Sequence, residues 1–286
     1  MNSYNHKVIT AAALKGCGLQ NSAINLICTA NIDSDNSKFT KGNWLSQHFS
    51  RQPEVTGDHT KSIELSIQFR ETAEKLIEAQ LENLASIILR DTPTKFDKEL
   101  CNDFDYLLYC MGRACHNVQD FYAHSNWVWL RAEESQTCRP WSFTKNELKG
   151  LRLSTWGEAR EIYEYLTGFI LTRTKKAAEK IKDKILKENC IHGELNLDCL
   201  HTKACFAYHK LYKRWGYDVA QEVAKNATIT FWGAITGSSV AKDVVPYLEK
   251  HSPSNMQAVA QGGAFGKYKD MRKRFTEDMK RLGMPF

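Results

Sequence analysis

The sequence predicts an all-α fold, a single domain of packed long helices, on three observations. Apolar residues recur three or four apart over long stretches, whereas strand-like alternation is scarcely visible. No repeat period and no low-complexity linker divides the chain. Gly and Pro, 16 and 6 of 286 residues, are too few for a disordered or collagen-like chain.

Helices are expected at 5–16, 20–31, 61–91, 97–126, 155–187, 203–231, 239–250 and 266–282. The stretch "KSIELSIQFRETAEKLIEAQLENLASIILR" is a long amphipathic case, and "DTPTKFD" interrupts it with a proline. Irregular connections are expected at 32–60, 131–154 and 188–202; two of them carry histidines and carboxylates, and long loops are often functional. Near the end, "KYKDMRKRFTEDMKRL" sets Tyr268, Met271, Phe275, Met279 and Leu282 on one side of a basic helix. Docking of that stripe on the body is preferred to adsorption on an anionic membrane. The main domain is expected over 1–230, with 231–286 as a helical extension.

Composition narrows the class. Hydrophobic residues at 42% and charged residues at 25% are ordinary for a soluble globular protein. No apolar run approaches the roughly 18 to 20 residues of a membrane span. The start, "MNSYNHKVITAAALKGCG", lacks a basic region followed by an uninterrupted apolar one, so the expected location is cytoplasmic, or outside by a dedicated secretion machine. A net charge of +6 falls short of a dedicated nucleic-acid binder, and no stable nucleic-acid partner is expected. Nine cysteines is an odd number. Cys17, Cys28, Cys110 and Cys115 read as small buried hydrophobes; Cys138, Cys190 and Cys199 stand in loop-like sequence and could pair under oxidising conditions.

The chemistry concentrates in "HNVQDFYAHSNW", residues 116 to 127. His116, Asp120 and His124 lie four apart and share one face of a helix. Imidazole nitrogens and carboxylate oxygens suit Zn²⁺, and burying three such groups without a partner is costly. A metal removes that cost.

The longer stretch "GRACHNVQDFYAHSNWV" resembles the "GRALHTLQDFYSHSNWVE" motif of HET-C-like proteins, a branch of the zinc-dependent phospholipase C and single-strand nuclease superfamily. The shared positions include Gly112, Arg113, the His/Asp/His stripe, Gln119, Phe121, Tyr122 and the Ser-Asn-Trp tail. The resemblance implies helices around a cluster of up to three zinc ions, with ligands gathered from along the chain. By it, "NHKVITAAAL" makes His6 the N-terminal ligand; Met1 departs from members whose processed N-terminal amine also binds zinc. In "INLICTANIDSDN", a helix ending in Asn followed by an Asp, Asp35 is the metal-flanking carboxylate, with Asp33 the alternative. A His expected just before a long helix is His59 in "GDHTKSIEL", or else His48 in "SQHFSRQ".

Farther on, "CIHGELNLDC" resembles a family loop that takes in His192, and "AQEVAKNAT" resembles a family helix. The last ligand is His209, or His201, because Tyr217 stands where an ungapped alignment would place histidine. His251 is expected to be an ordinary surface residue.

The resemblance covers roughly 5 to 230 and is strong in the central motif. It implies zinc-dependent hydrolysis of a phosphodiester, phospholipid being the favoured substrate, with Asp35 orienting or deprotonating the attacking water. Tryptophans near 127 to 141 look exposed enough to serve a membrane surface. The alternatives are a non-catalytic zinc-stabilised interaction module and a single-strand nuclease.

Overall fold

Helices form where apolar side chains recur on one stripe and stop where capping residues or breakers intervene. A computed structural model of the chain describes residues 3–35, 48, 59–91, 98–132, 151–153, 174–188, 197, 200, 202–253 and 265–284. Among these the fold is all-α: α1 Ser3–Leu14, α2 Asn21–Asp33, α3 His59–Asp91, α4 Lys98–His124, α5 Trp127–Leu130, α6 Lys175–Lys187, α7 Lys203–Tyr212, α8 Gly216–Thr236, α9 Ala241–Lys250 and α10 Phe265–Arg281. The extended contact among the described residues is an isolated bridge between Ser125 and Leu153. No described helix is long and apolar enough to cross a membrane.

The helix expected over 203–231 is two helices. Thr202 caps α7 by accepting from the Cys205 amide, and Lys213 ends it in the left-handed conformation, φ 60°. Gly216 then opens α8 where a Cβ would stand 2.9 Å from Leu197 Cδ2 and 3.2 Å from Tyr208 Cβ. The apolar period runs through the break because both helices bury the same kind of face. Of the helix expected over 155–187, only the part from Lys175 falls among described residues, and the three irregular connections lie largely outside them, as do Cys138, Cys190, Cys199, His192 and His201.

Two compact units divide the chain, and the division falls inside α4, between His116 and Asn117. One unit comprises Met1–Asn5, Asn43–Ile67 and Asn117–Ala227. In it α6 packs on α5 and α7, and Trp129 meets Tyr208 edge-on at 5.0 Å between centroids. Asn126 and Arg152 secure the end of α4: the Arg152 amide donates to Asn126 Oδ1 at 2.8 Å, and the Asn126 amide donates to the Arg152 carbonyl. Trp127 and Trp129 are buried, not exposed as the sequence suggested, because their rings supply the apolar filling of this unit.

The other unit comprises His6–Gly42, Gln68–His116 and Thr228–Phe286. Its core takes Phe69, Leu76, Ile77, Leu84 and Ile88 from α3 and Phe104, Leu107 and Leu108 from α4. The C-terminal helix belongs to it: Met271, Phe275 and Met279 are buried, and Tyr106 donates to Asp278 at 2.7 Å. His251 is buried, contrary to the surface position expected of it, because it pairs with buried Asp105 at 2.8 Å and stacks on Phe104.

Candidate metal centre

From Phe104 to His124 every residue of α4 is buried. A helix buried all round has no polar face to lose, so each polar side chain on it must find a partner inside the protein. His116, Asp120 and His124 are three such side chains, at 0%, 0% and 3% exposure.

His116 is served by α1 and α2 of its own unit. Its Nδ1 lies 3.0 Å from Asn31 Oδ1, while Asn31 Nδ2 donates to Thr10 Oγ1 at 2.8 Å. With the amide thus oriented, the imidazole's Nδ1–H is the donor, and in the neutral ring the acceptor lone pair then belongs to Nε2. Asp35 Oδ1 lies 3.8 Å from that Nε2. His6, on α1, brings its ring to 4.2 Å from the His116 ring. The ligand-capable atoms of His6 and of Asp35 each come within 4.8 Å of one on His116.

Gly112 makes this approach possible. A Cβ there would stand 2.6 Å from Ala30 Cβ and 3.1 Å from the Asn31 amide nitrogen, so any larger residue would push α2 away. The end of α2 is then turned by the amides of Ser34 and Asp35, which donate to the carbonyls of Asn31 and Ile32. That turn carries Asp35 past the helix. Among these donors Asp35 is the one with solvent access, its side chain 24% exposed against 0% for His116.

One turn along α4 stands Asp120, which belongs to the other unit. There its two oxygens face separate imidazoles: Oδ2 lies 2.8 Å from His48 Nδ1, and Oδ1 lies 3.9 Å from His124 Nε2. His48, the alternative in the sequence reading, is therefore a described partner of the stripe; His59 opens α3, and its side chain lies outside the described residues.

Asp33 faces elsewhere. Tyr109 donates to its Oδ2 at 2.7 Å, and Arg113 and Arg272 pair with it. Burial, opposed by Arg113 and assisted by Asp33, pushes the Tyr109 phenol well above its ordinary range, so the hydroxyl remains a donor. His209 stacks on Trp215 at 4.1 Å and enters no ligand group among the described residues. Tyr217 donates to Asn5 Oδ1 at 2.8 Å, next in sequence to His6.

Sequence reasoning did not single out Thr10, Tyr109 or Arg272. Nothing in their local pattern separates them from ordinary helix residues. Compared with family models, with curated proteins and with solved structures, the chain matches none.

The donor set suits zinc. It combines buried imidazoles with carboxylates, and the Asn31 hydrogen bond is of the kind that orients a ligating histidine through its other nitrogen.

Proposed function

We propose that this chain is a zinc-dependent phosphodiester hydrolase of the phospholipase C type, acting on phospholipid headgroups at a membrane surface. The observation that carries the reading is the set of donors gathered about His116 within one unit: its ring is fixed by the Asn31 bond, the His6 ring stands 4.2 Å away, and Asp35 Oδ1 lies 3.8 Å from Nε2. Zinc bound there would acidify a water and polarise a phosphoryl oxygen, the chemistry an in-line displacement needs.

His6, Asp35 and His116 would hold metal, with Asp120, His48 or His59, His124 and His209 as further candidates. Asp35 combines a carboxylate with solvent access, which suits it to orient the attacking water and take its proton. His48 and Asn31 act on their partners: one holds Asp120 in orientation, the other keeps the His116 ring from turning. Phospholipid as substrate rests on the sequence resemblance of the central motif.

A second reading is a zinc-stabilised interaction module without turnover. It is favoured by Tyr217, whose hydroxyl is engaged with Asn5 at the position where the resemblance calls for a histidine ligand. Two measurements separate the readings. Elemental analysis of protein purified without chelator should find two or three zinc ions per chain, and a chromogenic phosphocholine ester should be hydrolysed, with chelator abolishing the activity. Asp35→Asn should lower turnover by roughly two orders of magnitude or more and weaken zinc binding as well, since an amide is a poorer ligand than a carboxylate. Zinc without turnover on lipid or single-stranded DNA selects the module; no zinc at all removes both readings.

A further inference from the structure

We propose that Arg272, on the C-terminal helix α10, is a positioning residue for the metal centre: through Asp33 it holds the end of α2, and with it Asn31 and Asp35, against His116. The inference rests on the zinc reading above.

Asp33 is the last residue of α2, between the two residues that face His116. A carboxylate in the last turn of a helix opposes the helix dipole, and the last turn is where helices fray. An isolated α2 would therefore end loosely at the residues the site requires to be fixed. Arg272 reverses the balance. Its guanidinium forms a two-pronged pair with Asp33, Nε to Oδ2 at 2.9 Å and Nη2 to Oδ1, and a fork of this kind fixes direction as well as distance. Both side chains are largely buried, at 7% and 11% exposure, so solvent screens the pair little.

The remaining holds on Asp33 come from α4. Tyr109 donates to Oδ2 at 2.7 Å, and Arg113 approaches the same oxygen at 3.4 Å. Tyr109, Arg113 and His116 follow one another at intervals of four and three along that helix and share a face. Asp33 thus ties α2 to the same strip of α4 that ends in His116, and Arg272 completes the tie from the opposite element.

Arg274 supplies the control. It docks α10 through Asp103 at 3.2 Å, Gln80 at 3.3 Å and the Tyr106 ring at 3.8 Å, and makes no contact with Asp33 among these. A residue that merely keeps α10 in place should behave like Arg274.

The test compares full-length wild type, Arg272→Ala and Arg274→Ala in two ways. Zinc affinity is read by competition with a chromophoric chelator. The tautomer of His116 is read by nitrogen-15 NMR of the chelator-treated chain. Arg272→Ala should bind zinc about tenfold more weakly and lose the single Nδ1-protonated signature. Arg274→Ala should lower the unfolding temperature yet keep zinc affinity within about twofold and keep the signature. Equal losses in the two variants, or none in Arg272→Ala, would overturn the proposal. Should Arg272→Ala fail to fold, Arg272→Lys and Tyr109→Phe, which remove the fork and one hydrogen bond, should shift both readouts the same way; no shift in either counts against it. If the wild type binds no zinc, the functional reading falls, and an unchanged His116 signature in Arg272→Ala overturns the positioning role separately.

Discussion

Asn31 donates through Nδ2 to Thr10 and turns its carbonyl oxygen toward His116, so removal of that carbonyl frees the ring to rotate and to exchange tautomers. Asn31→Ala should weaken zinc binding about 10- to 100-fold, the usual cost of removing a partner behind a ligand, as measured by chelator competition. It should also cost roughly 1 to 3 kcal/mol of stability, because a buried donor or acceptor is left unmatched. The thiols give a second prediction at this scale. Burial pushes Cys28 up to about 11, with Lys7 pulling the other way, and burial pushes Cys110 up to about 12. Thiolates are the reactive species, so iodoacetamide at pH 8 should leave both residues unlabelled in the folded chain and label them in urea. Both pKa values are raised on folding from the ordinary 9.0. Their contribution is therefore fully present below pH 9 and is lost as pH rises toward 11 to 12, where the unfolded chain deprotonates first. Urea midpoints that fall between pH 9 and 11 would agree; midpoints that rise there would not.

At the level of elements, the approach of α2 to α4 beside His116 depends on one missing side chain. Gly112→Ala would place a methyl group against Ala30 and the Asn31 backbone, forcing α2 outward. Overpacking of this kind costs about 1 to 3 kcal/mol, and the displacement should lower zinc affinity as well, measurable by urea unfolding and by chelator competition. A variant equal to wild type in both would mean that α2 can shift without loss. Elements also show where pattern reading succeeds and where it fails. The stripe at 116, 120 and 124 was legible because helical periodicity is local, and α4 supplies it. The division of 203–231 into α7 and α8 was not, since Lys213 has no intrinsic preference for a left-handed turn; it is the packing of Gly216 on Leu197 and Tyr208 that fits a break there.

For the whole molecule, metal binding and folding are linked. A ligand bound only to the folded chain stabilises it by about 4 kcal/mol when its free concentration is a thousand times its dissociation constant. Treatment with EDTA should therefore lower the unfolding temperature by several degrees, and zinc should restore it. An unfolding temperature indifferent to both would count against a metal held by the folded state. The buried pair of Asp105 and His251 should be unaffected, since the two bond to each other and lie outside the ligand groups found among the described residues.

By itself the sequence determined the all-α class, the shared face of His116, Asp120 and His124, and the short list from which other ligands would come. The first two follow from the spacing of residue types along the chain; the list is what the resemblance of the flanking stretches to HET-C-like proteins implies. Tertiary structure decided what spacing cannot carry: that Asp35 faces His116 while Asp33, two residues earlier, is held by Arg272; that His48 meets Asp120; that Trp127, Trp129 and His251 are buried. The physical reason is that two carboxylates in one turn look alike to any local rule. What separates them is which cation or imidazole a distant part of the chain brings alongside.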